Sequence, residues 1–302
     1  MEDWLADCGL PLQAAGGERG YSARLEGLPG IEVRLLAAAE IAAALFAGEA
    51  HLGVTGEDLL RELADDLDGR VMLLQALGFG RADLVVAAPK SWIDVATMAD
   101  VDEVAHLYLA RTGRRLRVAT KYLTQTRAFF ARHGVVDYRI VESGGATEGA
   151  PAAGAAELIA DITTTGATLS ANGLKVLEDG LILSSQAQLA AGVAADWDAG
   201  ALDLARRLAL ILEARARARQ TATLTWPAEA DAAARAAVAG LAEPGASPRQ
   251  HGMLIDASHV FAAAQALASA GVGGLAVSHP AYVFEAKSEA VEALAVKVGV
   301  RN

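Results

Sequence analysis

The sequence predicts an α/β protein in which a doubly wound unit is followed by a smaller α+β domain of ferredoxin-like order. Three observations carry this. Short runs rich in Val, Leu and Ile alternate with helical patterns, as a sheet covered by helices requires. One of these runs, AAELIADI, reaches Asp161 and passes into TTTGAT, so that a strand, a hydroxyl-rich turn and a helix start follow in succession. After Gln220 the segments follow one another as β-α-β-β-α-β.

Taken in order, the candidate strands are IEVRLL at 31–36, HLGVTG at 51–56, ADLVVAAP at 82–89, LRVATKY at 116–122, YRIVES at 138–143, AELIADI at 156–162 and GLILSSQ at 180–186. Between them AAEIAAALFAG stops on Gly48, and TQTRAFFARHG starts on Thr124 and ends on His133 and Gly134. Glu57 and Asp58, in a Gly-containing loop, read as helix caps or as acidic groups near the cleft. LRVATKY through VVDYRIVES forms a right-handed βαβ unit that feeds the loop at Gly144 and Gly145. Ligands of open α/β sheets lie beyond the carboxyl ends of the strands, so the loops at 143–148 and 163–168 should converge on one site. A long amphipathic helix from Trp197 to Gln220 places Leu204, Leu208, Ile211 and Leu212 near one face. Its arginines, at 206, 207, 215, 217 and 219, read as a solvated face. The tail then reads TATLTW, a helix over 228–241, SPRQ, HGMLIDAS, a helix over 258–270 and GGLAVSHP.

With 302 residues, two or three domains are expected. A formal net charge of −11 disfavours nucleic acid or an anionic membrane surface as partner, so a polyanionic substrate needs a local positive pocket. Cys8 is the single cysteine, which rules out an intrachain disulfide and a cysteine-based zinc site and fits a reducing, cytoplasmic setting. The opening MEDWLADCGLPL has neither a basic n-region nor an apolar h-region, and the chain has no apolar run of about 18 residues, so neither export nor membrane insertion is expected. The six histidines form no HxxxH or HxH pair, and no structural metal is implied.

The chemistry concentrates at 161–168. Gly166 lets the backbone approach a ligand closely, while Thr163, Thr164, Thr165 and Thr168 add hydroxyls to the free N–H groups of a helix start. Asp161 can accept hydrogen bonds from a vicinal diol. Together these read as ribose 5-phosphate recognition; a strand–turn–helix junction capped by threonines fits the same letters. Lys121, at a strand end, is either a pyrophosphate contact or a surface lysine. Arg19 and Tyr21 in ERGYSAR, and Tyr122, either meet an adenine nucleotide or lie on an ordinary surface.

Glu148, Ala150, Pro151, Gly154, Ala156, Glu157, Ile159, Asp161, Thr165, Gly166, Thr168 and Leu169 stand in the spacing of a signature, E-x-A-P-x-x-G-x-A-[DE]-x-I-x-D followed by T-G-x-T-L. By this motif the chain resembles the ATP phosphoribosyltransferase family. Blocks at 18–33, 51–60, 75–89, 116–130 and 171–191 resemble the same family in the right order, so the likeness spans most of residues 3–219. The resemblance implies a two-lobed catalytic unit like the type II periplasmic binding proteins, with residues 1–84 and 165–190 as one lobe and 85–164 as the other. Residues 191–220 would be a connecting helix, and 221–302 the ferredoxin-like regulatory and oligomerisation domain of the long form. It further implies phosphoribosyl transfer from phosphoribosyl pyrophosphate to N1 of ATP, with Mg²⁺ on the leaving pyrophosphate. Thr163, Thr164, Thr165, Gly166, Ala167 and Thr168 would hold the 5-phosphate and Asp161 the ribose hydroxyls. Glu148 would meet the ribose or the magnesium-bound pyrophosphate, with Lys121 as a further catalytic contact and Glu157 as indirect support. Histidine as inhibitor and a homodimer or hexamer are implied as well. Two other readings stay open: a small-ligand sensor on the same fold and a non-catalytic regulatory subunit. Members of the family usually open with a strand and a K-G-R-type loop upstream of a segment like DWLADCGL, so a true start upstream of Met1 is expected.

Overall fold

A computed structural model describes residues 1–14, 22–64, 66–239, 247–249 and 251–300. Two compact units divide the chain, residues 36–197 and residues 1–35 with 198–302. The second unit opens the chain with α1 (Glu2–Asp7) and with β1 (Leu12–Ala14), β2 (Ser22–Leu25) and β3 (Glu32–Arg34), which pair antiparallel in that order.

Residues 36–197 form α2 (Ala38–Ala47), β4 (Leu52–Gly56), α3 (Glu57–Leu63), β5 (Val71–Ala76), β6 (Ala82–Pro89), α4 (Met98–Thr112) and β7 (Leu116–Thr120). They continue through α5 (Leu123–Arg132), β8 (Tyr138–Glu142), β9 (Leu158–Thr163), α6 (Ala167–Ala171), β10 (Leu174–Ser185) and β11 (Ala187–Gly192). Two sheets result, of order β4-β11-β5 and β10-β6-β9-β7-β8. In the larger one β7 runs parallel to both β8 and β9, while β6 is antiparallel to β9 and β10. Its central strands read as unbroken apolar runs because both faces are covered. Val86, Val118, Leu158 and Ala160 point to one core with Met98, Phe129 and Phe130; their neighbours Val85, Ala87, Ala119 and Ile159 point to another with Leu169 and Leu174. The period of two along a strand thus assigns each residue to a layer.

This division of the chain differs from the expected one. Residues 174–185 stay in the larger sheet, because β10 pairs with β6 along both its halves and absorbs the polar EDG interruption as register shifts on either side of Leu181. Residues 1–35 group with 198–302 rather than with residues 36–84. VMLLQA and AQLAAG, not expected as strands, form β5 and β11; Gly192 ends β11 where a Cβ would stand 2.6 Å from the Leu45 carbonyl oxygen and 2.7 Å from that of Ala50.

In the second unit α7 (Ala199–Gln220) starts on Asp198, whose carboxylate accepts from the Ala201 N–H at 2.7 Å. β12 (Thr221–Thr225), α8 (Asp231–Val238), β13 (Ser247–Arg249), β14 (Gly252–Asp256), α9 (Val260–Ser269) and β15 (Ala276–Ser278) follow, with sheet order β13-β14-β12-β15 and every pair antiparallel. This is the ferredoxin-like topology. A last helix, α10 (Glu289–Lys297), lies outside that repeat and packs on α7. The arginines of α7 are not simply a solvated face: Arg206 pairs with Glu292 at 2.7 Å, and Arg215 and Arg217 donate to the Ala281 and Val283 carbonyls, each at 2.9 Å. They hold the C-terminal segment along the helix. Among the described residues no helix is long and apolar enough to cross a membrane.

The two sheets of residues 36–197 are joined by a buried cluster around Asp58. Tyr122, after β7, is 1% exposed and donates its hydroxyl to Asp58 Oδ2 at 2.8 Å, and Ser185 donates to Oδ1 at 2.7 Å. The Asp58 N–H returns a bond to Ser185 Oγ, and Gln125 Nε2 donates to the Asp58 carbonyl. One turn along α3, Glu62 accepts from the N–H groups of Thr124 and Gln125 at 2.8 and 3.3 Å. A carboxylate from another element thus caps α5, which starts at Leu123 with no side-chain cap of its own. Burial, reinforced by the Asp58 charge, pushes the Tyr122 phenol well above its ordinary pKa, so it remains a donor at neutral pH. Replacing Tyr122 by Phe leaves a buried carboxylate oxygen without this donor, and urea unfolding should show a loss of about 1–3 kcal/mol. An unchanged midpoint would mean that the contact contributes nothing to joining the sheets.

Candidate active site

The carboxyl ends of β7, β8 and β9 share one edge of the larger sheet. β8 leads into a glycine-rich loop closed by Ser143, whose N–H bonds back to the Thr120 carbonyl at 3.0 Å and whose hydroxyl accepts from Thr147 at 3.0 Å. A 3₁₀ turn over Thr147–Gly149 follows and brings Glu148 beside the end of β9. There Asp161 is half-buried, with Thr163 as the last residue of the strand. A cavity of about 250 Å³ opens at this point, lined by Ala82, Glu148, Asp161, Ile162, Thr163, Thr164, Thr165, Thr168 and Leu169. The two loops expected to converge therefore meet.

Asp161 is the focus of the electrostatics. Burial raises its carboxyl pKa above the ordinary value, and the charge of Glu148 adds to this. The Ile162 N–H, 2.9 Å from Asp161 Oδ1, and the charge of Lys121 act the other way. Lys121 thus stands close enough to act on the carboxylate, with its ammonium 5.1 Å from the Tyr122 ring centre.

The threonine loop is built around Gly166, at φ 72°, where a Cβ would meet nothing within 4 Å. The space beside it is free for a ligand. Thr163 Oγ1 accepts the Gly166 N–H at 2.8 Å, and Thr165 Oγ1 lies 3.4 Å from the Ala167 N. Ser170 N–H is the first in α6 to return to the turn, reaching the Gly166 carbonyl at 2.9 Å. The N–H groups of Thr168 and Leu169 accordingly belong to the open first turn. Gly166 and Ala167 contribute backbone here rather than cavity wall.

Other expected site residues are placed differently. Tyr122 offers no ring face to an adenine, because the buried hydrogen bond to Asp58 holds it inside; letters at a strand end do not reveal which way the next side chain turns. Arg19 and Tyr21 lie outside the described residues. Glu157 sits at the opposite end of β9 from the cavity, bound to the Arg117 backbone N–H at 2.7 Å and to its guanidinium at 2.6 Å. That pairing lowers the Glu157 pKa despite burial, so its role is to fasten β9 to β7. Ala82 and Thr147 were missed. Ala82 reaches the site by an antiparallel pairing that no local motif encodes, and Thr147, one residue before the signature glutamate, lowers the Asp161 pKa through its hydroxyl. Among the described residues no group of three or more His, Cys, Asp or Glu side chains could hold a metal ion. The pair Glu148 and Asp161 fits a Mg²⁺ that arrives on a substrate phosphate and needs only one or two protein carboxylates.

The family model of ATP phosphoribosyltransferase matches residues 37–210, more than half of the chain. The ATP phosphoribosyltransferase of Caulobacter vibrioides (strain NA1000 / CB15N) is 66% identical over 295 residues, covering 98% of this chain and 92% of that protein. That of Nitrobacter winogradskyi is 48% identical over 302 residues, with 98% and 93% covered. Among solved structures, a chain of the ATP phosphoribosyl transferase (HisG:HisZ) complex from Thermotoga maritima aligns with a TM-score of 0.47 at 23% identity, over 63% of this chain and 80% of that one.

The desolvated carboxylate has a consequence for stability. A folded-state pKa raised above the unfolded value gives a contribution that is present at low pH and lost as pH rises through the folded pKa. At neutral pH ionised Asp161 is therefore a cost. Asp161→Asn should unfold at a higher temperature than the parent at pH 7, and the gap should close on acidification toward pH ~4, near the ordinary carboxylate pKa. A lower melting temperature for the Asn variant at pH 7 would show that the carboxylate is fully compensated by its neighbours.

Proposed function

The chain belongs to the ATP phosphoribosyltransferase family, whose members catalyse the first step of histidine biosynthesis, and from that premise we propose how its own residues serve the reaction. Phosphoribosyl pyrophosphate places its 5-phosphate in the Thr163–Thr168 loop, where threonine hydroxyls and the N–H groups of the first turn of α6 donate to it. Asp161, at the strand end beside that loop, accepts from the ribose hydroxyls. The observation that carries this reading is that Asp161, Glu148 and the threonine loop line one cavity at the carboxyl edge of the larger sheet.

In the transfer, the bond between ribose C1 and the pyrophosphate oxygen breaks and its electron pair leaves with pyrophosphate. The lone pair of adenine N1 of ATP forms the new bond to C1. Positive charge develops on the ribose ring in between, and the anionic pair Asp161 and Glu148 lies where it stabilises that charge. Glu148 would hold a Mg²⁺ carried on the substrate, and the ion would supply charge neutralisation for the departing pyrophosphate. Lys121 adds a positive group on the same side. Arg19 and Tyr21 are the proposed adenine contacts. No covalent nucleophile is needed, because holding the two substrates in register removes most of the entropic barrier.

Asp161→Asn keeps the shape and removes one charged interaction with the transition state, so kcat/KM for phosphoribosyl pyrophosphate should fall by about 10²-fold or more, equivalent to roughly 2–4 kcal/mol. Formation of phosphoribosyl-ATP followed by ultraviolet absorbance measures it. A variant within threefold of the parent would remove Asp161 from the mechanism.

Regulation by histidine and assembly into dimers or hexamers belong to the same proposal, supported by the ferredoxin-like topology of residues 221–278. Free histidine should inhibit the intact enzyme without raising KM for phosphoribosyl pyrophosphate, by about 5–150-fold at saturation. The test keeps the full chain, since deleting the C-terminal residues would strip α7 of Glu292 and of the carbonyls that Arg215 and Arg217 hold. Purely competitive inhibition would place the effector in the cavity itself.

A further inference from the structure

The amino ends of β7 and β8, at the edge of the larger sheet opposite the catalytic cavity, enclose a second cavity of about 250 Å³ lined by Tyr108, Arg114, Arg115, Arg117 and Arg139. In a chain of net charge −11, four arginines lining one small space are a marked local excess of positive charge. The register makes the crowding obligatory. Arg117 and Arg139 are direct partners in the parallel β7–β8 pair, so their side chains leave the same face of adjacent strands. Like charges so placed repel unless an anion lies between them or beside them. One is present for one arginine only: Glu157 bonds the Arg117 backbone N–H and guanidinium and also accepts from the Tyr108 hydroxyl at 3.1 Å. The other carboxylate nearby, Asp137, is turned to His106 at 3.4 Å. Among the described residues no carboxylate pairs with Arg114, Arg115 or Arg139.

We propose that this cavity is a second anion site, independent of catalysis, that takes the phosphoryl group of a small phosphorylated metabolite. Guanidinium forks match the oxygens of phosphate in pairs, which carboxylate or chloride satisfies less completely. One side of the site is held in place, because Glu157 fixes Arg117 and Tyr108, while the exposed Arg114 and Arg115 follow directly on Gly113, the glycine that ends α4 at φ 68°. Its volume lies below the ~300–1,000 Å³ of sites that enclose drug-sized ligands, so it holds a phosphoryl group with a small appendage and leaves a larger one outside. It is also set apart from the catalytic cavity: Glu157, just before β9, and Asp161 stand four residues apart, about 13 Å at ~3.3 Å per residue.

Modification of arginine by phenylglyoxal, mapped residue by residue by mass spectrometry on the intact protein, tests the site without interference from the catalytic cavity. Inorganic tripolyphosphate and AMP are the two probes, each against sodium chloride at matched ionic strength. Either probe, at a concentration of about ten times its Kd, should slow modification of Arg114, Arg115 and Arg139 by about tenfold. Stronger protection by AMP would assign a nucleotide, and equal or stronger protection by tripolyphosphate an inorganic or sugar-free phosphate. Arg139→Gln, which leaves the Arg117–Glu157 pair in place, should abolish the protection of Arg114 and Arg115 and keep transferase activity within threefold of the parent. Modification rates unaffected by both probes, or protection that survives Arg139→Gln undiminished, would overturn the proposal.

Discussion

A buried carboxylate that must be satisfied, Asp58, sets the geometry of residues 36–197. It lies on α3, between the smaller sheet and the larger one, and takes hydroxyl donors from Ser185 at the end of β10 and from Tyr122 at the end of β7. A charge in such a place is tolerated only with its hydrogen bonds made, so every element that supplies one is held in position. Glu62, one turn on, extends the same logic by capping α5. Since Lys121 precedes Tyr122, and Ser143 bonds back to Thr120, the anchoring of Tyr122 also fixes where the carboxyl edge with the candidate site begins.

From that anchor the larger sheet acquires two chemically opposite ends. At the carboxyl edge, β9 delivers Asp161 and the threonine loop, and the loop after β8 delivers Glu148. The result is a cavity lined by two carboxylates and by the hydroxyls of the threonine loop, the groups that the proposed function assigns to the ribose and to the phosphate. At the amino edge the same strands present arginines, with Glu157 as the one engaged counter-ion between β9 and β7. Burial raises the Asp161 pKa, so the carboxylate at this candidate site is not at its own energetic optimum, as is common where groups are placed for chemistry.

Strands with strong apolar runs were legible from the letters, as was the β-α-β-β-α-β order of the tail. AQLAAG and VMLLQA were not, because their reason for being strands is a long-range antiparallel pairing with β4 and with each other rather than any local preference. The length of β10 was hidden for a related reason: the polar EDG stretch breaks the apolar pattern but only shifts the register. Within the site, the strand-end aspartate and the glycine at positive φ were readable from the residues themselves, while the glutamate of the preceding loop came from the family resemblance. Tyr122 was misread as a nucleotide contact, and the α7 arginines as a free surface. In both cases the partner that claims the side chain is distant in sequence, Asp58 for the one and the segment after Pro280 for the other.

What the sequence by itself determined is the identity of the family, since the signature packs carboxylate, glycine and threonines into one continuous stretch whose chemistry is local. What the tertiary structure decided is which of those groups face one another. It brought Glu148 to Asp161 across two strand ends, turned Tyr122 inward and kept residues 174–185 with the larger sheet. It also set Arg117 beside Arg139 across a parallel pair. The physical reason is that strand register and the burial of a charge are settled by partners far along the chain, and no local pattern of residues records them.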